Sequence, residues 1–127
     1  MELRRMSRTE CKAVASAGAL ATVLADFLTG PDTQHGAAAC RLASASAQLA
    51  SIQDAVAACP GLRVFGCSAL LVYDAAAGGN ACRCVTVRLV DFAHAFFTDA
   101  AEPDGNLGAG LAALRGFLKQ HVARGLS

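Results

Sequence analysis

Two stretches rich in β-branched and large apolar residues, LRVFGCSALLVYD at 62–74 and CRCVTVRLVDF at 82–92, are separated by the turn-like spacer AAAGGNA. Successive side chains of a strand point to opposite faces, and the first stretch is apolar on both. That pattern marks a central strand rather than a half-exposed one. The glycine-bearing spacer predicts that residues 62–74 and 83–91 pair as an antiparallel hairpin with a loose connection. In the second strand Val85, Val87, Leu89 and Asp91 share one face, and Thr86, Arg88 and Val90 the other. An apolar row that stops on a carboxylate needs a reason. Asp91 is a buried structural acid, a turn or capping residue, or a ligand for a metal ion at the mouth of a cleft. The residues alone leave these open, with the turn or cap the simplest.

Helical patterns surround the hairpin. Ser7-Arg-Thr-Glu10 has capping-box spacing, so a helix is expected to start near Ser7, with Leu20, Val23, Leu24, Phe27 and Leu28 forming its apolar stripe. TGPDTQHG stops it. A second helix is predicted from about Ala37 to Ala58, with Leu42, Leu49, Ile52 and Val56 on one side, ended by Cys59-Pro60-Gly61. After Asp91, AHAFFTDAAEPDGNLGAG reads as a polar, glycine-rich loop in which Phe92, Phe96 and Phe97 are core anchors. Asn106 is the expected cap of a last helix whose apolar positions are Leu107, Leu111, Leu114, Leu118 and Val122. The order helix, helix, strand, strand, helix makes the fold class α+β, one domain over residues 1–127. A hairpin apolar on both faces wants more neighbours than two strands supply, so the chain is expected to be part of something larger.

The totals exclude several classes. Of the 127 residues, 54% are hydrophobic and 17% charged, which is a globular composition. A net charge of +1 with scattered basic residues argues against nucleic-acid binding, and Arg4, Arg5 and Arg8 read as a solvated terminus. Charges interrupt the alanine-heavy apolar stretches before a membrane span is reached. The polar MSRTECKAV lies where a secretory signal carries its apolar core, so an intracellular protein of the cytoplasm or nucleus is expected. The six cysteines contain no C-x-x-C pair and have no histidine at ligand spacing from Cys82 and Cys84. They are expected to be reduced, mostly buried thiols.

Three segments, in order, carry a resemblance. RVFGCSALLVYD is similar to an Arg-Phe-Tyr…Ser-Ser-Leu-Leu…Tyr-Glu strand, VRLVDFAHAF to an Ile-Asp-Phe-Ala-His segment, and DGNLGAGLAALRGFL to an Asp-x-Asn…Gly-Leu-x-x-Leu helix. Together, over about residues 60–120, they resemble the inositol polyphosphate kinase family, of multikinase or hexakisphosphate kinase type. The Ser-Ser-Leu-Leu element stands here as Cys67-Ser68-Ala69-Leu70, and the family's Pro-x-x-x-Asp-x-Lys-x-Gly signature does not occur in the 127 residues. The chain thus resembles the C-terminal half of such a kinase.

The resemblance implies transfer of the ATP γ-phosphate to an inositol polyphosphate, with Mg²⁺ and ATP as cofactors. It implies Asp91 as the metal- and nucleotide-holding residue, like the Asp of the Asp-Phe-Gly segment in protein kinases. It implies Ser68, in the adjoining strand, as a residue orienting phosphate or Asp91. Ser68 is equally well read as a small packed residue, and the lone His94 is given no catalytic role. A basic cluster for several substrate phosphates is missing, so the chain alone is expected to be inactive. A non-catalytic remnant or a small α+β interaction module, using a sheet edge or an apolar face, is the alternative.

Overall fold

The computed structural model describes residues 6–30, 36–74 and 85–126. Their mixture of helices and small antiparallel sheets is an α+β architecture. The first helical stretch is broken, where the pattern predicts one helix. Ser7 does form its capping box with Glu10, but α1 (Arg8–Ala13) is short. A second capping serine, Ser16, whose Oγ accepts from the Ala19 N–H at 3.1 Å, starts α2 (Ala17–Thr29) afresh. A serine side chain that bonds the backbone ahead of it favours a new helix start over continuation. The long alanine-rich α3 (Ala37–Ala57) lies where the propensities put it.

The strands depart further from expectation. The stretch 62–74 is split into β1 (Leu62–Phe65) and β2 (Ser68–Val72). β2 pairs antiparallel with β3 (Thr86–Val90), as the hairpin pattern requires. β1 pairs instead with β4 (His94–Phe97), inside the segment expected to be loop. Two two-stranded sheets follow end to end, a single antiparallel ribbon with an interruption in its middle. Gly61 starts it at φ +85°, accepting from the Thr98 N–H at 2.7 Å. A Cβ at this position would stand 2.6 Å from the Thr98 carbonyl oxygen, so only glycine fits.

The chain closes with α4 (Gly105–Phe117), one π-helical turn (Leu118–Val122) and α5 (Ala123–Gly125). The cap of α4 is Asp104, not Asn106. Leu111, Leu118 and Val122 from this end meet Leu28 of α2, Ala45 and Leu49 of α3, Val87 of β3 and Val85 just before it in one buried cluster. Truncating a side chain as enclosed as Leu49 costs about 2–5 kcal/mol.

Only one ribbon face joins that cluster. Val87, with Leu71 and Leu89, packs inward, while Leu70, Val72 and Arg88 are exposed on the outer face. The two-sided apolar pattern of 62–74 therefore does not make a central strand. Phe92, Phe96 and Phe97 are likewise not core residues, being exposed by 52%, 49% and 76%. Phe65 and Phe96 stack on one another at 5.7 Å on the outer face. Nor are the thiols buried: Cys11 and Cys40 are exposed, and Cys59 and Cys67 half-buried. Cys82 and Cys84, and the spacer 75–81, lie outside the described residues.

Among the described residues one charge is fully enclosed. Arg41 of α3 donates through Nη1 to the carbonyls of Leu28 (2.6 Å) and Thr29 (3.1 Å) at the end of α2. Its guanidinium stands 4.2 Å from the centre of the Tyr73 ring, and the Tyr73 hydroxyl donates to the Phe27 carbonyl. A cation at a helix C-terminus satisfies orphan carbonyls and the helix dipole, and the aromatic face offsets part of its desolvation.

Candidate active site at the ribbon kink

The interruption of the ribbon is where Asp91 sits. The last register pair of one sheet is Phe65↔His94 and the first of the other is Ser68↔Val90. Gly66 and Cys67 on one strand thus face Asp91, Phe92 and Ala93 on the other. One extra residue on one strand is the signature of a β-bulge, which bends a ribbon and re-aims a side chain. Both strands adopt left-handed backbone here, Gly66 at φ +70° and Asp91 at φ +70°. Asp91 is the one non-glycine residue with positive φ among those described. That conformation costs an L-residue roughly 1–2 kcal/mol, and aspartate tolerates it better than most. A turn in which the Ala95 N–H donates to the Phe92 carbonyl at 3.2 Å redirects the chain into β4.

Asp91 therefore stands at the strand end, as its place in the sequence requires. Its carboxylate is exposed and makes no side-chain hydrogen bond or ion pair among the described residues. It is not a buried structural acid. Ser68 begins β2 opposite Val90, at the same end of the β2·β3 pair, also exposed and without a side-chain hydrogen bond among the described residues. The fold thus brings Ser68 and Asp91 to one corner of the ribbon. His94 opens β4, exposed opposite Phe65.

The structural acid of this region is Asp104, the first residue of the third motif segment, to which the sequence reading gives no role. It is 4% exposed. Its Oδ1 accepts from the Leu107 N–H at 3.0 Å, capping α4, and its Oδ2 accepts from the Val64 N–H at 2.9 Å, on β1. The bond from Leu107, then that from Val64, hold its pKa below the usual carboxylate value against the opposing effect of burial. The one signal available in sequence is an aspartate followed by Gly-Asn before an apolar helical period.

The comparisons agree with the motifs. The family model for inositol polyphosphate kinase matches residues 2–119, and the chain belongs to that family. The match takes in α1 to α3, which carry none of the three motif segments, as well as the ribbon and α4. No curated protein and no solved structure was found to match the chain.

Proposed function

We propose that this chain carries the metal-holding corner of an ATP-dependent inositol phosphate kinase, with Asp91 as the metal ligand and Ser68 as its neighbour orienting phosphate. The carrying observation is that Asp91 occupies an unfavourable backbone conformation while leaving its carboxylate unengaged. Strain held at a position with no structural use for the side chain is a feature of functional sites.

The residues present fit magnesium. Among the described residues no three His, Cys, Asp or Glu side chains cluster as a metal cage. Magnesium in kinases does not need one: it takes one or two carboxylates, substrate phosphate oxygens and water. When bound, the ion neutralises charge on the transferring phosphoryl group. Asp91 supplies the hard anionic oxygen and a fixed place for it at the strand end. The Ser68 hydroxyl supplies one donor beside it. The outer face of β2 next to this corner is open, so a nucleotide can approach it. An intracellular setting accords with this reading, since ATP and inositol phosphates are found there.

Manganese substitutes for magnesium at oxygen sites and broadens nearby amide resonances even at millimolar affinity. Titrating the chain with Mn²⁺ should selectively broaden the amides of Asp91, Phe92 and Ser68, and Asp91→Asn should abolish the effect. Unchanged broadening in that variant would end the metal assignment. The 127 residues lack the Pro-x-x-x-Asp-x-Lys-x-Gly segment and a basic cluster, so the chain by itself should show no kinase activity on inositol polyphosphates. Robust turnover by the purified chain would contradict this. A second reading, a non-catalytic interaction module, draws on the exposed Phe65, Leu70, Val72 and Phe96 of the outer face. It predicts no selective Mn²⁺ effect at Asp91.

A further inference from the structure

Among the described residues, β3 pairs with β2 on one side only. On its other side the backbone around its start is met by side chains of α3. Ser44 and Gln48 lie one helical turn apart on the same face of α3. Ser44 Oγ accepts from the Val85 N–H at 3.1 Å and lies the same distance from the Val85 carbonyl oxygen. Gln48 Oε1 accepts from the Val87 N–H at 2.9 Å, and its Nε2 donates to the Val85 carbonyl. The same Nε2 lies 3.3 Å from Ser44 Oγ, tying the two side chains together. A primary carboxamide presents a carbonyl and an N–H in one plane, as a peptide does. Gln48 therefore offers β3 the donor and acceptor that a neighbouring strand would offer, from a helix.

This contact fixes β3 along its own length. A slip of one residue would mismatch the Gln48 bonds and turn Val85 and Val87, each 1% exposed, out of the core. Val90 ends the strand, and Asp91 follows it directly. The β1·β4 half of the ribbon is anchored elsewhere, by Asp104 at the start of α4. The position of the kink thus depends on β3 being held in register by α3.

Resting on the reading of Asp91 as a metal ligand, we infer that Gln48 is a positioning residue for that carboxylate: its side chain stands in for a β-strand and sets where the end of β3, and so the metal-holding oxygen, is placed.

The test uses Mn²⁺ alone as the probe on the 127-residue chain, comparing wild type, Gln48→Met, Gln48→Glu and Ser44→Ala. Thermal melting and the amide spectrum report folding. Mn²⁺ affinity and the pattern of broadened amides report the corner at Asp91. Gln48→Met removes both bonds to β3. It is expected to weaken Mn²⁺ binding by roughly three- to tenfold, less than the 10–100-fold typical of a group bonded directly to a metal ligand. The Asp91 and Phe92 amide shifts should move as well. Gln48→Glu keeps the acceptor for the Val87 N–H and should lose less, and Ser44→Ala least. A Gln48→Met chain that melts lower yet binds Mn²⁺ with wild-type affinity and pattern would overturn the inference, leaving Gln48 merely structural. Should Gln48→Met not fold, Gln48→Glu decides the matter by the same two readouts. Absence of selective broadening in wild type would instead overturn the metal reading itself, and this inference with it.

Discussion

Asp91 and Asp104 flank β4 and its following loop, and they are opposites in every physical respect. Asp104 is buried in ordinary extended backbone, at φ −66°, with each carboxylate oxygen engaged by a backbone N–H. Asp91 is exposed in left-handed backbone, with neither oxygen engaged by a described residue. Asp104 contributes to stability through its bonds, and these offset the cost of its burial. Asp91 contributes nothing visible to the fold and occupies a conformation that costs energy. A carboxylate whose acceptor capacity is filled is architecture, while one held in place with its capacity unfilled is available to a ligand.

The sharpest way to break this contrast is Asp91→Asn in a catalytically competent form containing this chain. Loss of a direct metal contact removes several kcal/mol of transition-state stabilisation, at about 1.4 kcal/mol per tenfold in rate. Turnover should fall by orders of magnitude while the melting temperature stays put. An active, normally Mg²⁺-dependent Asp91→Asn enzyme would collapse the distinction. The mirror experiment is Asp104→Ala. It removes a helix cap worth about 1 kcal/mol and strands the buried Val64 N–H at about 1–3 kcal/mol. Denaturant titration should show a loss of about 2–4 kcal/mol, with Mn²⁺ broadening at Asp91 retained in the fraction that remains folded.

A smaller effect tests the part played by Asp104 through pH. The pKa of Asp104 is lowered in the fold, so the unfolded chain binds that proton more readily. The stability it confers is fully present above the ordinary carboxylate value of 3.8 and is lost as pH falls through the lowered folded value. Denaturation midpoints should therefore drop more steeply on acidification in wild type than in Asp104→Asn. Parallel curves would show that the charge of Asp104 does not matter to the fold. The smallest effect carries the opposite sign. Asp91→Gly relieves the left-handed strain but loosens the unfolded chain, so stability should change by between zero and about +1 kcal/mol. Metal binding should vanish in the same protein. A clear destabilisation would mean that the Asp91 side chain does support the kink.

Much of this architecture is legible in the amino-acid sequence. α3, the apolar period of the last helix, the pairing of β2 with β3 and the place of Asp91 at a strand end all follow from local patterns. What stays hidden depends on partners distant along the chain. The segment 94–97 reads as loop because its apolar residues become a strand only by pairing with Leu62–Phe65, across the whole β2–β3 hairpin. Asn106 and Asp104 are equally good caps by composition; the Val64 N–H, which also needs an acceptor, decides for Asp104. Phe92, Phe96 and Phe97 read as core on hydrophobicity, which cannot say which face of a ribbon the helices cover. Arg41, in an alanine-rich helix, carries no sign that it will be enclosed by the end of α2 and Tyr73. Gln48 looks like a solvent residue until the edge of β3 is placed against it.

The outer face of the ribbon also has a colloidal consequence. It displays Phe65, Leu70, Val72 and Phe96 on a molecule with a net charge of only +1, so little long-range repulsion keeps two such faces apart near neutral pH. This apolar face sets a low ceiling on the concentration at which the isolated chain stays dispersed. Moving the buffer away from neutrality, short of the acid range in which Asp104 loses its contribution, raises that ceiling by increasing the net charge.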